Sequence, residues 1–167
     1  MTSRIENYGA ICSRIVGLLE ESRRVAARSV NAVMTATYWE IGRNIVEFEQ
    51  GGTKRAAYGE GLIGRLAEDL TVRFGRGYSK RNIDQMRQFY LSWPIVQTPS
   101  AQLDVGAGEE SAASSPLLLE SLNLQKIARR FPLPWSAYVR LLSLKNTHAR
   151  DFYESEAIRG GWSVRQL

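Results

Sequence analysis

The chain has 167 residues, 44% of them hydrophobic and 23% charged, and its 22 Lys and Arg outnumber 17 Asp and Glu for a net charge of +5. That is enough chain for one domain with a core, in a globular composition whose positive charge favours acidic partners such as nucleic acid or an anionic surface. One cysteine, Cys12, and one histidine, His148, exclude a disulfide, a thiolate or histidine metal cluster and a Cys–His nucleophile couple, so no metal or cofactor is expected.

No apolar run approaches about 18 residues and the N-terminus lacks a basic-then-apolar signal, so a cytoplasmic protein without a membrane span is expected. In chain order, residues 5–27 are predicted to be helical, with Ile5, Tyr8, Ile11, Cys12, Ile15, Leu18 and Leu19 on one side. A second helix over 29–49 carries the stripe Val30, Met34, Thr37, Tyr38, Ile41, Ile45 and Phe48, and Gly51-Gly52 supply its stop. On its reverse side Ala32, Trp39 and Val46 recur at a heptad spacing. A helix with two apolar seams is either buried mid-fold or packed on another subunit, which makes Ala32, Trp39 and Val46 candidate contacts of a homodimer. The intramolecular reading is preferred, because a helical domain of this size offers enough internal partners.

Residues 53–61 read as a connector of small residues and glycine. Over 62–74 the apolar residues Leu62, Ile63, Leu66, Leu70 and Phe74 share one side of a helix; Gly75-Arg76-Gly77-Tyr78 breaks it, and the Ser79 hydroxyl is placed to cap another over 79–93. That helix puts Ile83, Met86, Phe89, Tyr90 and Trp93 on one face and Lys80, Arg81, Asp84, Gln85, Arg87 and Gln88 on the other. Residues 97–120 hold no Lys or Arg and are mostly Ser, Ala, Gly and Glu up to Pro116, a composition that reads as a flexible insertion. Helices are predicted over 117–130, from Pro134 to about 145, and from Asn146 or Thr147 to a stop at Gly160-Gly161. Ser163 and Gln166 have the spacing of a capping box, which is how a helix begins, so the chain is expected to be cut short of a further element. With no alternating β-branched run, the fold class is all-α: a multi-helix domain.

The chemistry legible in the residues is recognition. No phosphate-binding GxxxxGK[ST] loop occurs, the (D/E)-x-K tripeptide of metal-dependent nucleases is absent, and the paired carboxylates lie on solvated helix faces, so no active site is read. Two helices joined by a short glycine turn, the second basic and polar outward, have the outline of a helix-turn-helix. In it Arg73, Arg76, Lys80 and Arg81 are candidates for phosphates, and Gln85, Arg87 and Gln88 continue along the exposed face, the amides suited to adenine edges. Asp84, between them, is expected to accept from a cytosine or to brace Lys80 and Arg87. A second basic patch without an acid comprises Lys126, Arg129, Arg130, Arg140 and Lys145. From the residues alone, DNA contact and a solvated face stand level, and the alternative is a helical dimerisation or docking domain.

Several peptides together resemble YhcG-like bacterial proteins. They are Tyr38-Trp39-Glu40-Ile41-Gly42-Arg43-Asn44-Ile45-Val46-Glu47, Tyr58-Gly59-Glu60, Leu66-Ala67-Glu68-Asp69-Leu70 and Phe74-Gly75-Arg76-Gly77-Tyr78-Ser79, then Asn82-Ile83 with Met86-Arg87-Gln88-Phe89-Tyr90, Arg150-Asp151-Phe152-Tyr153-Glu154 and residues 157–167. The resemblance covers nearly all the chain except the insertion. It implies a helical N-terminal domain that binds DNA and a following PD-(D/E)XK nuclease-like domain, absent from this chain, that carries any phosphodiester cleavage. The insertion before Leu117 departs from the family pattern.

Overall fold

A computed structural model describes residues 2–51, 53–95 and 116–167, with side chains for 8–51, 61–95 and 123–167. Among them are six helices and no strand: α1 Thr2–Gln50, α2 Thr53–Phe74, α3 Lys80–Ser92, α4 Pro116–Arg130, α5 Trp135–Leu142 and α6 Thr147–Gly160. The all-α expectation holds. Most of the predicted insertion, 97–115, lies outside the described residues.

Two expected boundaries are not there. The helices predicted over 5–27 and 29–49 are one, α1, whose 49 residues span about 74 Å at the α-helical rise. Ala26-Ala27-Arg28 between them are strong helix formers, and nothing there removes a backbone donor or forces a turn. The 53–61 connector is instead the beginning of α2. Its glycines lower helix propensity by only about 1 kcal/mol each, and the turns that follow are held on α1. Two caps work as read: the Asn146 side chain accepts from the Ala149 N–H, and Gly161 ends α6 at φ 60° with the Trp162 N–H returning to the Ala157 carbonyl; Ser163 and Gln166 bond to each other in a turn rather than opening a helix within the described residues.

The second half of α1 is the spine, and its two seams are covered from two sides. Ile41 and Ile45 pack towards α2 with Leu62, Leu66 and Leu70, beneath a cluster that also buries Ile83 and Met86 of α3. Ala36 and Trp39 enter a larger core with Phe89, Trp93, Ile127, Phe131, Leu133 and Tyr138. The Trp39 and Val46 side chains are 1% and 4% exposed, and Ala32 packs half-buried on the same core, so the heptad seam is used inside the fold. Between the seams α1 and α3 come so close that a Cβ on Gly42 would collide with the Met86 carbonyl.

Apart from Arg150 Nε, which lies buried without a hydrogen-bond partner, the polar groups described in this core are partnered. Trp39 Nε1 donates to the Trp93 carbonyl at 2.8 Å, and Trp93 Nε1 donates to Glu154 Oε2 at 2.7 Å. Tyr138 Oη and Arg130 Nη1 donate to the other Glu154 oxygen at 3.3 and 3.4 Å. A buried carboxylate without such donors would be strongly destabilising. Burial first, and then the Glu154 charge, push the Tyr138 phenol well above its ordinary value of 10.0.

Two outcomes follow from this packing. Gly42→Ala should destabilise by about 1–3 kcal/mol in urea denaturation, because backbone on α3 must shift to admit the methyl. For Tyr138 the folded state keeps its proton where the unfolded state loses it, so this contribution is complete below pH 10 and declines as pH rises above it. Thermal melts from pH 8 to 11.5 should show a steeper alkaline loss for the native protein than for Tyr138→Phe.

Candidate nucleic-acid interface

The turn after α2 is built by glycines that hold conformations other residues resist. The Gly75 N–H closes α2 on the Thr71 carbonyl at 2.9 Å, and Gly75 and Gly77 have φ of 79° and 119°. Ser79 then caps α3 in extended conformation, its Oγ accepting from the Asn82 N–H at 3.3 Å. Asn82 is the fastener: its Nδ2 donates back to the Gly77 carbonyl, and its Oδ1 accepts from Trp135 Nε1 at 2.8 Å. One amide thus ties the turn, the first turn of α3 and the start of α5. Sequence reasoning missed this role; the signal was an Asn three positions after a capping Ser, beside glycines with carbonyls to satisfy.

Ile83, Met86 and Phe89 are buried, which directs the opposite side of α3 to solvent. Arg73, Arg76, Lys80 and Arg81 are all exposed at the turn and the α3 N-terminus, and none has a hydrogen-bond or ion-pair partner among the described residues. Gln88 is exposed and donates to Asp84 Oδ2 at 3.1 Å, while Gln85 is half-buried. Arg87 is engaged elsewhere: its Nε donates to Glu49 of α1 at 2.8 Å. The expected bracing of Lys80 and Arg87 by Asp84 is therefore replaced by the Gln88–Asp84 and Arg87–Glu49 contacts.

The second basic set is less coherent. Lys126, Arg129, Arg140 and Lys145 are exposed but are spread over α4, α5 and the residues after α5, which ends at Leu142 rather than near 145. Arg130 turns in to Glu154 and lies 5.8 Å from the Phe131 ring centre. Among the described residues no group of three His, Cys, Asp or Glu is placed to hold a metal, and no helix is long and apolar enough to cross a membrane.

An aromatic-cored helical fold with a glycine turn presenting basic residues is thus the kind of protein this chain makes. It belongs to the DUF1016 N-terminal domain family, which matches residues 14–167. Over 164 residues, 96% of the chain, it is 52% identical to the Escherichia coli (strain K12) protein named "Putative nuclease YhcG", and it spans 43% of that protein's length. No solved structure matches it.

Asn82→Ala should cost about 1–3 kcal/mol in denaturant titration, since the Gly77 carbonyl and the half-buried Trp135 indole both lose a partner. Asn82→Asp, which keeps an acceptor for Trp135, should recover part of that loss.

Proposed function

We propose that this chain is a helical DNA-binding domain that positions a C-terminal PD-(D/E)XK nuclease-like domain. The observation that carries the reading is the cluster Arg73, Arg76, Lys80 and Arg81: four cations within nine residues, exposed and without ion-pair partners among the described residues. Cations of a folded domain that are not neutralised internally remain available to phosphates, and each phosphate neutralised releases counterions. The α3 N-terminus adds its exposed amide groups and the positive end of its dipole on the same side. Gln88, and Gln85 in part, lie further along the open face, where amides reach base edges if α3 enters a groove. In this helix-turn-helix arrangement Arg87 supports α3 through Glu49 rather than contacting the nucleic acid.

The name of the E. coli relative supports the link to a nuclease, and on this reading residues 1–167 form its N-terminal domain. No (D/E)-x-K tripeptide occurs in the chain, which agrees with cleavage chemistry housed in a partner domain. The alternative, protein docking without nucleic-acid contact, uses apolar surface and differs in its response to salt.

Fluorescence anisotropy with a labelled duplex over a salt series tests the reading. The native chain should lose affinity steeply as salt rises, and Arg76→Ala/Lys80→Ala/Arg81→Ala should flatten the log–log slope by about 3. Undiminished binding by this variant places the contact on Lys126, Arg129, Arg140 and Lys145 instead. Absence of salt-dependent binding favours the docking alternative.

A further inference from the structure

We propose that Phe74 is a stacking platform for an unpaired base, so that the DNA this chain holds best is a duplex interrupted by an unpaired nucleotide. The inference rests on the DNA-binding reading and names the class of DNA within it. Phe74 is the last residue of α2 and leaves 65% of its surface in water. It continues the stripe of Leu62, Leu66 and Leu70, which pack on the cluster that buries Ile45, Ile83 and Met86. One turn beyond Leu70 the stripe runs past that cluster, and an aromatic ring stands outside the core.

The ring is exposed but held. Its centre lies 5.9 Å from that of Tyr78, with the planes 52° apart, and Tyr78 is itself half-buried on the same cluster. The glycine turn makes this approach. Gly75 and Gly77, at φ of 79° and 119°, reverse the chain, so that Tyr78 returns onto residue 74 instead of continuing α2. A ring braced by a core residue and otherwise in water offers π surface at little further ordering cost.

The surroundings select a nucleobase over an apolar partner. Arg73 precedes Phe74 directly, Arg76 follows two residues on, and Lys80 and Arg81 begin α3. All four are exposed and lack an ion-pair partner among the described residues. With successive Cα atoms about 3.8 Å apart, the backbones of Arg73 and Arg76 lie within about 7 Å of that of Phe74. Covering such cations with an apolar protein surface would leave buried charge without compensation. A nucleotide brings a phosphate for the cations and a π face for the ring, the pairing that single-strand binders use. Only one ring is offered here. Stacking one base on it gains about as much as unstacking a paired base costs, so preference falls on a base already free of the duplex. The paired DNA beside it remains for α3.

Fluorescence anisotropy of the whole chain with two labelled hairpin duplexes, identical except for a single-base bulge in one, tests this. The native chain should bind the bulged hairpin about 10-fold more tightly. Phe74→Ala should lose that preference while keeping its affinity for the fully paired hairpin and the salt slope, which also shows that the variant is folded. Phe74→Leu, apolar but without a π face, should behave as Phe74→Ala does, and Phe74→Trp should keep the preference. A 5-iodouracil placed at the bulge should cross-link to Phe74 under long-wavelength ultraviolet light, read by peptide mass spectrometry. Equal, salt-dependent affinity of the native chain for both hairpins would overturn the stacking platform and leave the DNA-binding reading standing. So would a preference that survives in Phe74→Ala or Phe74→Leu, a loss of affinity equal on both hairpins, or cross-linking confined to other residues. Absence of binding to either hairpin would overturn both.

Discussion

The structure depends on the burial of Phe89. Its ring lies 4.8 Å from Phe131, 4.9 Å from Tyr138, 5.1 Å from Trp93 and 5.3 Å from Trp135, centre to centre. One side chain of α3 thereby gathers the end of α3, the segment after α4 and the start of α5. Burying a ring of this size contributes about 1.5–3 kcal/mol, and each well-oriented aromatic pair adds about 0.5–1.5 kcal/mol beyond area. The contacts are also directional, because tilted and edge-on rings fix orientation where aliphatic contacts would let the helices slide. The buried Trp39 continues the same packing onto α1 through Phe131, with ring centres 6.3 Å apart.

This constraint rotates α3. With Phe89, Met86 and Ile83 turned inward, Arg81, Asp84 and Gln88 must face solvent by helical periodicity alone. The rotation is secured at both ends. Asn82 binds the first turn to Gly77 and Trp135, and Arg87 is held against Glu49 of α1. The basic turn is thus displayed on a braced element, while its charges have no ion-pair partner among the described residues. On the proposed DNA-binding reading that division is useful, since rigid presentation limits the ordering entropy lost on binding while free charge keeps the attraction.

The two halves of α1 meet different physical demands. From Thr35 onward the helix is sandwiched, and its polar atoms find partners such as the Leu133 carbonyl for the Thr35 hydroxyl. From Tyr8 to Asn31 its side chains are exposed among the described residues. The change comes within a single turn and without a break in the helix, so the first half is as directed as the core that anchors it.

Much of this was legible from residue order. Periodicity marked α3 and its inward face, and Gly75, Gly77 and Ser79 marked the turn, because φ above zero and a free hydroxyl are local requirements. Cations with no acid among them marked the basic cluster. Other features depend on residues distant in the chain: Glu49 engaging Arg87, Trp135 meeting Asn82, and Glu154 collecting donors from α3, α4 and α5. No pattern within one helix announces such a partner. The seam of Ala32, Trp39 and Val46 had two readings in the sequence and one in the fold, since an apolar stripe carries no information about which surface covers it. Local chemistry thus determined most of the helices and caps and which side of each is apolar; only packing decided what each apolar side meets, because that depends on directions in space that a linear pattern does not encode.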